Sequence, residues 1–320
     1  MGNLSDFLEP IYRVNKDLIA MIRQEGSAGI TTTEARFLVD LYYQIQKFRV
    51  QMNNRVKGLD RDATKAGNEP EPHAAIDWVL AQADALENQI KRLISIYVAN
   101  HEMAWFFDQT VGIGPVLAGG LLAHIDISKA QTAGAIWRFA GLDPTQGWNK
   151  GEKRPFNGQL KTLCWKIGDS FCKVQNKEGA IYGQIYRERK AREWNRNLNG
   201  DFSDQAAAKL EKHNIGKSTD AYHWYAGKCS ATKARAMLES GDTPTIAGCK
   251  SDNGIPMLPP AHIDQRAKRY AVKLFLAHLH HRWYEEAHGN PPPAPYIIEH
   301  GGHAHFLAPP QNKIQEAEND

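Results

Sequence analysis

Apolar positions recur every three or four residues through two stretches of the N-terminal third. This spacing predicts two long amphipathic helices. The first follows Thr31-Thr32-Thr33, which offers an N-cap, and carries Phe37, Leu38, Leu41, Ile45, Phe48 and Met52 on one stripe. It is expected to end near Gly58. Residues 59–72 (LDRDATKAGNEPEP) are polar and hold two prolines, which predicts a loop. The second helix aligns Ile76, Val79, Leu80, Ala83, Leu86, Ile90, Leu93, Ile94 and Tyr97. Two long helices joined by one polar loop read as an antiparallel hairpin. Its apolar stripe needs a partner, either within the chain as a bundle core or in a second copy as a homodimer. Residues 1–28 carry a shorter helical pattern that ends near Gly26 and Gly29.

Downstream the pattern changes. Residues 197–260 are rich in Gly, Asn, Asp, Ser and Pro, with helical patches only near 204–213 and 231–240. That composition predicts a connector or insertion. Pro259-Pro260 then leads into a helix over about 262–287, followed by Pro291-Pro292-Pro293, a short β-like run at 296–298 and a polar, frayed tail. The chain thus divides into a hairpin region (1–104), a block at 105–196, the connector (197–260) and a closing helix with a His-rich tail (261–320). Strand signals are few, so the expected fold is mainly α: a long antiparallel helical hairpin, a central domain and a C-terminal helix.

Composition narrows the class. Hydrophobic residues make up 42% of the 320, which excludes wholesale disorder. Four cysteines, at 164, 172, 229 and 249, are too scattered for a disulfide framework and fit a reducing compartment. The first residues lack the basic start and apolar run of a signal peptide, and no apolar stretch is long enough to span a bilayer. These features predict a soluble, cytoplasmic protein without a membrane partner.

Residues 111–122 read VGIGPVLAGGLL. Gly112-Ile113-Gly114, with Ala118 four residues after the second glycine, is the pattern of a helix-hairpin-helix. Two glycines allow a tight turn and close backbone approach. Pro115 suits the first position of the next helix. Ile113 is expected to plug inward, and Ala118 to let two helices pack closely. The turn then aims free backbone amides, at the positive end of a helix dipole, toward an anion such as a DNA phosphate. The bland alternative is a structural turn between two core helices. A nucleotide-binding glycine loop fits less well, because MAWFFDQT continues a helix where a strand would be required.

Charge changes the picture further. The whole chain carries a net +3, but residues 150–196 hold twelve Lys or Arg against five acids, a local excess of seven. Lys150, Lys153, Arg154 and Lys161 open this run. Trp148, Phe156, Trp165, Tyr182, Tyr186 and Trp194 are interleaved with it. A basic patch beside a phosphate-binding turn is an electrostatic footprint for nucleic acid. The aromatics are expected in the core more than on a base-stacking surface.

VGIGPVLAGGLLAHI, then AGLDP at 140–144, then GEKRPFNGQLKTLCWKIGDSF resemble, in that order, the C-terminal part of the insertion-sequence 110/116/902 transposase family. The resemblance covers roughly residues 31–195 and extends to the helical hairpin, which looks like the family's coiled coil. It implies DNA binding through Gly112, Ile113 and Gly114 and the basic residues after Gly151, in transposition or recombination. Two family features are missing. No RuvC-like nuclease domain fits ahead of residue 31. The place of the nucleophilic serine reads Gly147-Trp148-Asn149-Lys150-Gly151. Both departures argue against autonomous strand cleavage and leave RNA or a separate nuclease subunit as further candidate partners.

Eight of the thirteen histidines lie between His262 and His305. His278 and His281 share a helical face, and His303 and His305 alternate as on a strand. Together they are candidate ligands for a divalent metal, the alternative being a metal-dependent nuclease. No HExxH or CxxC spacing supports it, and a set of polar core and surface histidines is the simpler expectation. A purely structural dimeric assembly protein is the third class.

Overall fold

The fold comes from a computed structural model that describes residues 29–69, 73–293 and 307–312, together with Lys16 and Ala20. The expected N-terminal helical patch, the run at 296–298, His303 and His305 lie outside the described residues. The protein is mainly α, with no strand among the described residues and a single isolated bridge between Cys229 and Lys250.

Two long helices, α1 (Thr32–Lys65) and α2 (Ala74–Ala99), form the hairpin. Thr31 and Glu34 close a capping box at the start of α1, with the Thr31 amide donating to Glu34 Oε2 at 2.7 Å. The expected end at Gly58 is not observed. A glycine inside an exposed helix costs only about 1 kcal/mol, and Asp60–Lys65 prolong the turns until Gly67 takes φ +76°. The first helix therefore runs seven residues beyond its expected end, to Lys65.

A short helix, α3 (Ala104–Asp108), leads into α4 (Pro115–His124), which is the centre of the molecule. Eight of the ten α4 residues are buried. Its two consecutive glycines explain how it fits. A Cβ on Gly119 would lie 2.5 Å from Ile94 Cγ2 of α2, and one on Gly120 would lie 2.8 Å from Leu163 Cδ2. Arg36 of α1 donates its Nε to the Ala123 carbonyl and satisfies the C-terminal end of α4 (2.5 Å). After α5 (Ala133–Phe139) come α6 (Gly158–Val174) and α7 (Ile181–Leu198).

The chain closes with α12 (Pro260–His288), which packs against α5, α6 and α7. One core joins Val39, Ile90 and Ile94 of the hairpin base to Leu121, Leu163, Phe171, Tyr182 and Phe275. The hairpin base, the 105–196 block and the closing helix thus share a single interior.

Residues 197–260 are not a loose connector. They fold into four short helices, α8 (Ser203–Lys212), α9 (Asp220–Tyr225), α10 (Ala231–Glu239) and α11 (Ile246–Cys249). Trp194, Phe202, Trp224, Cys229, Cys249, Met257 and Ile263 form a second core among them. Thr219, Ser230 and Thr245 cap three of the helices through their side-chain oxygens. Polar composition here reflects many caps and turns rather than a lack of core.

Candidate nucleic-acid interface

The turn between α3 and α4 has the geometry its glycines require. Gly112 takes φ +101°, a conformation that other residues rarely adopt. Ile113 points inward, 9% exposed, and joins the main core. Ala118 is buried. Gly114 caps α4 in an extended conformation with Pro115 following at the first helical position. Gly114 is exposed, and the amides of Gly114, Val116 and Leu117 meet no acceptor among the described residues. The back of the turn is fastened to α6, since Ser170 Oγ donates to the Gly112 carbonyl at 2.5 Å. Val174 and Phe171 leave no room for a side chain at 112. Gly179, beside exposed Lys177 in the α6–α7 turn, lies against Val111.

The basic residues form a separate locus. Lys150, Lys153, Arg154 and Lys161 are all exposed, on and just after a turn that is rigid by its own bonds. Glu152 Oε2 accepts from the Asn149 amide at 3.0 Å, Trp148 Nε1 donates to the Glu152 carbonyl at 2.9 Å, and Gly151 takes φ +99°. Arg154 lies over the Trp148 ring (5.4 Å) and Lys161 over the Phe156 ring (4.1 Å). Glu152 is thereby spent on backbone and amide groups.

The structure does not bring the two loci together. Gly112 touches the C-terminal end of α6 at Ser170–Val174, whereas the basic loop adjoins its N-terminal end at Gly158. Twelve residues of helix at 1.5 Å each place these ends about 18 Å apart. The one continuous patch suggested by sequence proximity is therefore two sites on one helical axis.

The cations of α7 are largely structural. Arg189 pairs with Glu193, Lys190 with Asp264 and Arg196 with Asp201. Tyr182, Tyr186 and Trp194 are buried, while Trp165 (56% exposed) and Trp148 face outward. The expectation of core aromatics holds for the α7 residues and fails for these two tryptophans.

Among the described residues the C-terminal histidines do not assemble a metal site. His278 is buried with both ring nitrogens engaged, Nδ1 with Tyr182 Oη and Nε2 with the Leu307 carbonyl, each at 2.9 Å. No lone pair is left for a metal. His281 turns instead toward Glu285 (3.1 Å). No group of three or more His, Cys, Asp or Glu side chains with metal-binding geometry occurs among the described residues. Asp126 and Asp143 cap local turns at Ser128 and Thr145.

Sequence reasoning missed a cleft of about 520 Å³ between α1 and the start of α6, lined by Tyr43, His124, Arg154, Asn157 and Lys166 among others. Only the Asn157-Gly158 helix start signalled it. Compared with known protein families, curated proteins and solved structures, the chain matches none.

Proposed function

We propose that this chain binds duplex or branched DNA through phosphate contacts, as a transposase-like protein of DNA transposition or recombination. The observation that supports this most is the α3–α4 turn. Its plug residue is buried, its N-cap is an exposed glycine without a capping side chain, and three amides at the positive end of α4 lack acceptors among the described residues. The basic loop supplies a second set of phosphate contacts. Such contacts position a duplex and do not read its sequence.

The clean test is Gly114→Glu. A Cβ at this position meets nothing within 4 Å and φ is negative, so the carboxylate is introduced without strain. The same change at Gly112 would distort the turn itself. Fluorescence anisotropy with duplex and four-way-junction DNA should show at least a roughly tenfold loss for Gly114→Glu and again for Lys150→Glu/Lys153→Glu. Unchanged binding in both variants would contradict the reading.

We further propose a homodimer through the hairpin. Beyond its base, α1 and α2 expose Phe48, Val50, Leu59, Trp78 and Leu86, none of which joins a core. Light scattering coupled to gel filtration should give twice the 35.9 kDa chain mass. Trp78→Glu/Leu59→Glu should give the monomer mass, and a monomeric wild type would remove this partner. No described helix is long and apolar enough to cross a membrane.

A further inference from the structure

The cleft at the start of α6 has features that neither the fold nor the turn contacts account for. Arg154 Nη1 lies 3.3 Å from where a Cβ of Gly158, the first residue of α6, would stand. A guanidinium thus rests at the positive end of a 17-residue helix, and it has no ion-pair partner among the described residues. Like charges gather there unless an anion is present.

A second, independent feature is His124. It is 7% exposed, lines the cleft and makes no hydrogen bond among the described residues. Its ring nitrogens are not sealed in the interior, so they open onto the cleft, where a ligand oxygen would supply the missing hydrogen-bond partner. Lys166 adds another cation to the lining, with Nζ 3.9 Å over the Tyr43 ring. Asp40 is the one carboxylate in the lining, and its Oδ2 is occupied by Gln159 Nε2 at 2.5 Å. Asn157 takes the Gln159 and Leu160 amides, so the helix start is rigid before any ligand arrives.

We propose that this cleft binds a phosphate group, held by Arg154, Lys166 and His124 at the N-terminus of α6. Two sources present such a group: the 5′-terminal phosphate of a nucleic-acid strand and a free mononucleotide. The strand-end source rests on the DNA-binding reading above, and the phosphate site itself does not. A guanidinium fork, an ammonium and an imidazole suit a tetrahedral oxyanion better than a planar carboxylate, because they approach from different directions.

Calorimetric titration of the full chain with inorganic phosphate, with AMP and with a short oligonucleotide carrying either a 5′-phosphate or a 5′-hydroxyl tests this. Saturable binding of inorganic phosphate is expected, weakened at least about tenfold by Arg154→Gln and retained by Arg192→Gln as a charge-matched control on α7. Arg154 is exposed, so its loss leaves the fold intact. Arg154→Lys, which keeps the charge but not the fork, should fall between. A preference for the 5′-phosphorylated strand that Arg154→Gln abolishes assigns the strand end. Tight AMP binding without an end preference assigns the free nucleotide. Phosphate binding that survives Gly114→Glu separates this site from the turn. The proposal is overturned if none of the four probes binds the folded wild type, or if Arg154→Gln and His124→Gln bind phosphate as the wild type does.

Discussion

Glu193→Ala is expected to lower the stability of the protein by about 3 kcal/mol, the lower end of what breaking a buried ion pair costs. Glu193 is fully buried on α7. Its Oε2 accepts from Arg266 Nε at 2.6 Å, and its Oε1 pairs with Arg189 Nη2 at 2.5 Å, outside hydrogen-bond angles. Arg266 also lies over Phe202 and Arg189 over Tyr270, each at 4.4 Å. One carboxylate therefore fixes two guanidinium groups and joins α7, α12 and the second core. Its removal leaves both cations without a counter-charge. They are 23% and 24% exposed, and water reaching them is the reason for the lower figure. Burial alone would raise the Glu193 carboxyl, but Arg266 and Arg189 outweigh it and hold it below the ordinary range. Its contribution is thus present above pH ~4.5 and lost as pH falls through the depressed value. Urea titration of wild type, Glu193→Ala and Glu193→Gln measures the effect. A loss below ~1 kcal/mol for Glu193→Ala would show the cluster to be dispensable.

The second large effect is on pH. Burial pushes both His278 and His262 down to about 4, from an ordinary value of 6.5. Between 6.5 and 4 the unfolded chain binds protons that the folded chain refuses, so stability falls as pH drops through this window. His278 alone would contribute about 3 kcal/mol across it, at 1.36 kcal/mol per unit. His262 is more open and contributes less. Burial shifts His101, His124 and His280 in the same direction. The urea midpoint should therefore decline steadily from pH 7 to pH 5, before Glu193, Asp264 or Asp169 begins to protonate. His278→Gln should flatten part of this decline. A midpoint constant between pH 7 and 5 would mean that water or a rearranged Tyr182–His278 pair accepts the charge.

Sequence periodicity made much of the fold legible. The stripe from Leu38 to Ile45 and that from Ile90 to Tyr97 lie where the hairpin meets the core. Gly112, Ile113 and Pro115 adopt the turn their side chains demand, because that turn is local. Tertiary features were hidden. The second core draws Phe202, Trp224, Cys229 and Met257 from helices of four to ten residues and the loops around them, too short for periodicity to register, and joins them to Trp194 near the end of α7. The cleft joins Tyr43, His124 and Arg154, which no local pattern connects. Helical spacing placed His278 and His281 on one face, yet Tyr182 and Leu307 hold the first inside while Glu285 takes the second. The charge count over 150–196 overstated the binding patch, because Asp264, distant in sequence but packed against α7, neutralises Lys190, and Asp201 beyond the counted run takes Arg196.

The salt dependence of duplex affinity tests the DNA-binding proposal most directly. Four exposed cations, Lys150, Lys153, Arg154 and Lys161, each displacing one counterion, predict a linear fall of log K with log salt and a slope of about −3 to −4. Gly114→Glu should weaken binding at every salt concentration. A slope near zero, or no duplex binding at low salt, would contradict the account and leave the α3–α4 turn as a core element.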